Sequence, residues 1–149
     1  AYIIGGTVRG TVNGILVMLL GVVLIDMPVH QPVATIGFIV MVSWSFASMG
    51  LVLGQLSDSW DQLAMMQNFF LTPLSFLGGI FYSVNMLPDW AQTLSFFNPI
   101  YYMINGIRFT ILGVADSPPM TSFSMALLMT IFFTVSAITL MHSGRKIKQ

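Results

Sequence analysis

The sequence predicts an all-α integral membrane chain: four spanning helices, with an external re-entrant helical hairpin before the last. Three observations lead there. Of the 149 residues, 56% are hydrophobic and only 7% carry a charge, whereas a soluble domain devotes roughly 25% of its residues to charges. The few charges fall in clusters, leaving 10–25, 27–57, 62–88 and 117–141 free of Asp, Glu, Lys and Arg. Prolines and polar residues gather in the gaps between these stretches. Five basic and five acidic side chains cannot coat a water-exposed surface. That excludes a soluble globular enzyme and a disordered segment, and also a nucleic-acid binder, which needs a basic patch. There is no Cys, so no disulfide or thiolate chemistry is possible.

A spanning helix needs about 20 apolar residues. The first stretch reaches that length if its helix begins before Arg9, giving a span at about 3–25. The segment DMPVHQP (26–32) holds two prolines, an acid and His30, a combination that breaks both flanking helices. Pro32 is well placed to open the second span, 33–55, because a missing N–H costs nothing in a first turn. QLSDSWDQ (55–62) is the next turn, with Ser57 or Asp58 as cap for a third span at 63–82. Inside that span, Pro73 removes a backbone bond and Gly78-Gly79 permit close contact or a hinge. DSPPM (116–120) is a loop, and Thr121 or Ser122 is the expected cap of a last span at 121–141.

Residues 83–113 behave differently. They are apolar but interrupted by Pro88, Asp89, Asn98, Pro99, Asn105 and Arg108. Two short helices fit better than one span, at 87–97 and 99–112, split at Asn98-Pro99. Apolar segments of this length are more often re-entrant or interfacial than spanning, and irregular backbone at membrane depth must be buried in protein or line water.

Orientation follows from the basic residues. Arg9 opens the first span, and Arg145, Lys146 and Lys148 follow the last. An even number of spans places both ends on the cytoplasmic side. Loop 55–62 is then cytoplasmic, and 26–32 and 83–120 face outward.

Little in the chain suggests chemistry. His30, His142 and five scattered Asp form no paired-carboxylate or metal constellation, and no phosphate-binding loop occurs, so ATP cannot be hydrolysed here by that route. No charge lies at the centre of a span, which argues against an ion-coupled carrier. Arg108 is costly in lipid unless it pairs or snorkels; Asp89, Asp116 or lipid headgroups are its expected partners, and a gating role is the sharper alternative. Asp58 and Asp61 are either helix caps or contacts for a cytoplasmic partner. The aromatics over 81–102, Tyr82 among them, suit an interfacial belt.

The stretch NFFLTPLSFLGGIFYSVNMLPDWAQTLSFFNPIYYMINGIRFTILG (68–113) resembles the signature of the type 2 ABC transporter permeases, the inner-membrane export permeases of bacteria. The matching positions are Pro73, Leu74, Phe76, Leu77, Gly78, Gly79, Phe81, Tyr82, Leu87, Pro88, Asn98, Pro99, Ile100, Tyr102, Arg108 and Gly113. Arg9-Gly10 opening a span and the basic tail agree with it.

The resemblance implies a permease subunit with six spans and two short external helices between the fifth and sixth. It implies a homodimer in the bacterial inner membrane, surrounded by lipid and paired with two separate ATPase subunits. ATP and Mg would then bind the partner ATPase, with no cofactor on this chain. Substrates would be polysaccharide, lipid-linked or drug-like. The four spans would be the third to sixth, so the chain is expected to be an N-terminally truncated, C-terminal portion that lacks the first two spans and the coupling helix. Pro73, Gly78, Gly79, Tyr82, Asn98, Pro99 and Arg108 become the candidate gate and hairpin residues, and Asp58 and Asp61 the candidate partner contact. An ion-coupled or facilitative carrier without an ATPase is the competing function, and a non-transporting scaffold the third.

Overall fold

A computed structural model describes residues 1–143. Every regular element among them is helical: α1 (Tyr2–Ile25), α2 (Pro32–Leu56), α3 (Trp60–Met66), a π-turn (Gln67–Leu71), α4 (Thr72–Leu77), a 3₁₀ turn (Val84–Met86), α5 (Asp89–Phe96), α6 (Pro99–Leu112) and α7 (Pro119–His142). The expected basic tail at 145–148 lies outside the described residues.

Three helices are long and apolar enough to cross a membrane: α1, α2 and α7. At 1.5 Å per residue each is roughly 36 Å long, enough for a hydrocarbon core of about 30 Å. Each starts and stops within two residues of its expected bounds. Pro32 is the first residue of α2, after Gln31. Helix α7 begins at Pro119, ahead of the expected caps, and has no side-chain cap.

The expected third span, 63–82, is corrected. It is no single helix but α3, the π-turn and α4 in series, ending at Leu77. Pro73 explains the interruption. It lacks an N–H, and its ring would strike the carbonyl one turn back, so the helix widens just before it. Gly78-Gly79 explains the early end: Gly79 has φ +80°, and a Cβ there would lie 2.9 Å from the Tyr82 carbonyl oxygen. The helix cap is also corrected from Ser57 or Asp58 to Ser59. Its Oγ accepts from the Gln62 N–H at 3.2 Å, while Gln62 Oε1 accepts from the Asp58 N–H at 2.8 Å, a reciprocal arrangement close to a capping box.

Lipid tails are as apolar as leucine, so helices associate there by close packing and hydrogen bonding. Helices α1 and α2 use the first means. A Cβ on Gly6 would sit 2.9 Å from Ala47 Cβ, one on Gly10 2.9 Å from Ser43 Cβ, and one on Gly14 2.7 Å from Ile39 Cγ2. Glycines four apart thus meet positions four apart in descending order, a tight antiparallel seam. Helices α2 and α7 run parallel and use the second means. Trp44 Nε1 donates to Thr134 Oγ1 at 3.0 Å, and Ser48 Oγ lies 3.2 Å from the same hydroxyl. The core lies between α2, α6 and α7: Phe38, Met103 and Ala126, flanked by Met41, Val42, Phe46, Ile107 and Met129. The tip of the Phe38 ring packs against Gly106 and leaves no room for a Cβ there.

Helices α5 and α6 form a hairpin turning at Asn98. The loop after α1 fixes its far end, because the His30 and Gln31 N–H groups donate to the Ile111 and Thr110 carbonyls at 2.8 and 2.9 Å. These would otherwise be orphans at a helix C-terminus. The end of α6 therefore lies beside the α1–α2 loop and the start of α7, called here the hairpin end. The α2–α3 turn lies at the opposite end.

Candidate functional site

The polar side chains of the hairpin converge on the broken end of α4. A helix leaves its last four carbonyls without internal donors. At α4 the Gly78 and Gly79 N–H groups meet Leu74, Ser75 and Phe76, and side chains supply further donors to this end and to the turn after it. Asn98 Nδ2 donates to the Leu74 carbonyl, Tyr82 Oη to Phe76, and Ser95 Oγ to Leu77 at 2.7 Å. Arg108 Nη2 donates to the Gly79 carbonyl and, at 3.4 Å, to that of Tyr82. The guanidinium thus sits at a helix C-terminus, where the backbone dipoles favour a cation.

Arg108 has a second partner. Its Nη1 lies 3.0 Å from Asp116 Oδ2, with the side chains 19% and 9% exposed. Of the two expected acids, Asp116 is the partner; Asp89 heads α5 instead. Asp116 also accepts from Ser83 Oγ at 2.7 Å and from the Val84 N–H at 3.1 Å. Its own N–H donates to Asn105 Oδ1 at 2.8 Å, and Asn105 Nδ2 reaches Ser122 Oγ on α7 at 2.7 Å. The Asp116 carboxylate therefore joins the turn after α4 to α6, and Asn105 joins α6 to the start of α7.

At the base of the hairpin, Asn98 plays two parts. It caps α6, with Oδ1 accepting from the Ile100 N–H at 3.0 Å, and Pro99 follows as the first helical residue. Gly78 lets Ile104 approach, since a Cβ there would lie 2.7 Å from its Cδ1. Beside Pro99 an apolar cleft of about 100 Å³ opens, bounded by Phe46, Met49, Leu71, Leu74 and Phe133.

Among the candidate residues, Gly78, Gly79, Tyr82, Asn98 and Arg108 all meet at this junction. Pro99 lies at its base, and Pro73 lies one turn back on α4. Asp58 and Asp61 are not part of it. They stand at the opposite end of the bundle, Asp61 in the first turn of α3. Sequence reasoning missed Ser95 and Ser122 and the central place of Asn105 and Asp116. A serine or asparagine in an apolar helix does not reveal which carbonyl it will meet. Among the described residues no group of His, Asp or Glu could hold a metal ion.

The sequence model for the family described as ABC-2 type transporter matches residues 1–112.

The chain belongs to the ABC-2 type transporter family.

It is 35% identical over 147 residues to the inner membrane transport permease YadH of Escherichia coli K12, covering 99% of this chain and 57% of that one. It is 38% identical over 69 residues to nodulation protein J of Rhizobium leguminosarum bv. viciae, covering 46% of this chain and 27% of the relative. The same protein of Sinorhizobium fredii is 36% identical over 70 residues, 47% of this chain and 27% of its own. The chain thus spans little more than half the length of the YadH relative. No solved structure gives a significant match. This ABC-2 chain is a multi-pass membrane protein of a transport permease family.

Proposed function

We propose that this ABC-2 chain is membrane-spanning permease of an ATP-driven exporter, which forms with a second copy the path for a polysaccharide, lipid-linked or drug-like substrate. Separate ATPase subunits power it, and ATP and Mg bind there. The observation that carries this reading is the junction itself: a spanning segment that stops short, with an inserted hairpin tied to its last carbonyls, on a chain of this family. These 149 residues hold no phosphate loop, so ATP binding by that route falls outside them.

In this reading both ends of the segment face the cytoplasm. The hairpin re-enters from the outer face, and Gly78, Gly79, Tyr82, Asn98, Pro99 and Arg108 frame the outer boundary of the path, with Pro73 behind them. Asp58 and Asp61, beside the 86% exposed Trp60, face the ATPase.

The test is co-purification. The full-length permease should bring down an ATPase subunit, and transport in reconstituted vesicles should require hydrolysable ATP. Replacing Asp58 and Asp61 together by Asn should weaken ATPase retention and cost the permease no more than about 1 kcal/mol, the contribution of an acid in a helix's first turn. Transport driven by an ion gradient with no ATPase present would overturn the reading.

A further inference from the structure

The hairpin is tied to the rest of the described residues at several points. Helix α6 forms the core with α2 and α7 through Phe38, Met103 and Ala126. Its C-terminal carbonyls are held by the α1–α2 loop, its Asn105 by Ser122, and its Arg108 by Asp116. Helix α4 is bonded to the same unit through Asn98, Ser95 and Arg108.

Helix α3 is the opposite case. None of its residues is buried, and neither is any residue of the π-turn. Phe69 is 81% exposed and Phe70 63%. What holds α3 to α2 is the short turn between them and a weak contact, Ser57 Oγ to Met66 Sδ at 3.7 Å. Between the loose arm and the fixed block lie the π-turn and Pro73. A π-turn carries one residue more than the α-helix it interrupts, and such turns are found frequently at functional sites. The bond that Pro73 cannot make weakens the same turn. On its inner side Leu71 borders the cleft of about 100 Å³, so the joint has empty space to move into.

We propose that the π-turn Gln67–Leu71 is a hinge, about which α3 swings while α4 and the hairpin stay fixed to the core. Its use in the transport cycle rests on the exporter reading. Motion received at the α2–α3 turn would end at the π-turn, with Leu71 filling or leaving the cleft, and the hairpin would serve as a fixed stop.

The test uses full-length permease in lipid nanodiscs with its co-purified ATPase. Labelled chains are diluted in an excess of unlabelled ones, and pairs of spin labels report distances. One pair joins Met65 on α3 to Val135 on α7; the other joins Met86 by the hairpin to the same Val135. The first pair should give a broad distribution and the second a narrow one. Deleting Asn68 removes the extra residue of the π-turn without rotating the flanking helices, and should narrow the first pair to the width of the second. Pro73→Ala, a milder change that restores a donor, should narrow it in part. Equal widths in the parent protein would overturn the hinge. So would a first pair left broad both by Pro73→Ala and by whatever folded deletion variant is obtained. If ATP turnover moved neither mean while the widths behaved as stated, the exporter reading would fail and the hinge would stand.

Discussion

Arg108 and Asp116 offer the sharpest test of how the hairpin is held. Truncating Arg108 to Ala removes an ion pair and two bonds to backbone carbonyls. Truncating Asp116 to Ala removes the same ion pair and the bonds from Ser83 and Val84. The partners are 19% and 9% exposed, too buried for the roughly 0–1 kcal/mol of a surface pair. Leaving one charge of a buried pair without its partner costs about 3–5 kcal/mol. The remaining water access at Arg108 puts each single truncation at the low end, about 3 kcal/mol. Both lose a similar number of bonds, so the two should cost about the same.

The double variant loses the pair only once. A coupling energy of about 1–3 kcal/mol is therefore expected, within the range for residues in direct contact. The assay is equilibrium unfolding of the full-length permease in detergent for the parent, the two single variants and the double variant. Additivity within about 0.5 kcal/mol, the ordinary result for independent sites, would refute the clamp. So would an Arg108→Ala protein as stable as its parent.

Two further outcomes are expected. Gly10→Ala places a methyl 2.9 Å from Ser43 Cβ, where carbon atoms prefer about 3.5–4.0 Å, and should destabilise by about 1–2 kcal/mol through overpacking; Gly5→Ala, with nothing within 4 Å, should be neutral or slightly stabilising, and equal melting temperatures would count against the α1–α2 seam. Asn98→Ala loses both the cap of α6 and the donor to Leu74 and should destabilise by about 1–3 kcal/mol; Asn98→Asp keeps the cap but buries a carboxylate against the Leu74 carbonyl at a site 2% exposed, so it should cost at least as much, and an Asp variant clearly more stable than the Ala variant in thermal unfolding would show that the cap alone matters.

The features that could be read from the sequence were those set by charge and proline. Because so few residues are charged, each marks a boundary. The two helices of the hairpin fall at Asp89–Phe96 and Pro99–Leu112, against expected bounds of 87–97 and 99–112. Asn98-Pro99 fixed that split, since a polar cap and a proline at the first helical position act locally. The third span could not be read in this way. Hydropathy runs unbroken through Gly78-Gly79, yet Gly79 turns the chain with a positive φ that no apolarity scale registers. Pro73 advertises a bend, but not that the bend takes the form of a π-turn. The Gly6, Gly10 and Gly14 stripe stands in the sequence at helical spacing, and its partners Ala47, Ser43 and Ile39 become meaningful only once α2 is seen to run antiparallel. For Arg108, apolar surroundings demanded a nearby acid and left two choices. Only the fold separates Asp116, in the loop after α6, from Asp89 at the head of α5.

Where the polar bonds sit determines which parts of this chain can move cheaply. Non-helical backbone at membrane depth has no water to satisfy it, and the turn after α4 exposes a run of carbonyls there. Asn98, Ser95 and Arg108 on the hairpin answer those of Leu74, Leu77, Gly79 and Tyr82. Withdrawing the hairpin would strip these donors together. At about 1–3 kcal/mol for each group left unsatisfied, the cost would exceed that of any single truncation above. A cycle with low barriers should therefore leave the hairpin seated. The π-turn makes no such demand, because its backbone stays within one helical run and its side chains from Gln67 to Phe70 are exposed. Bending there exchanges one helical bond for another and leaves no carbonyl bare. The same chemistry that fixes the hairpin thus places the motion in α3.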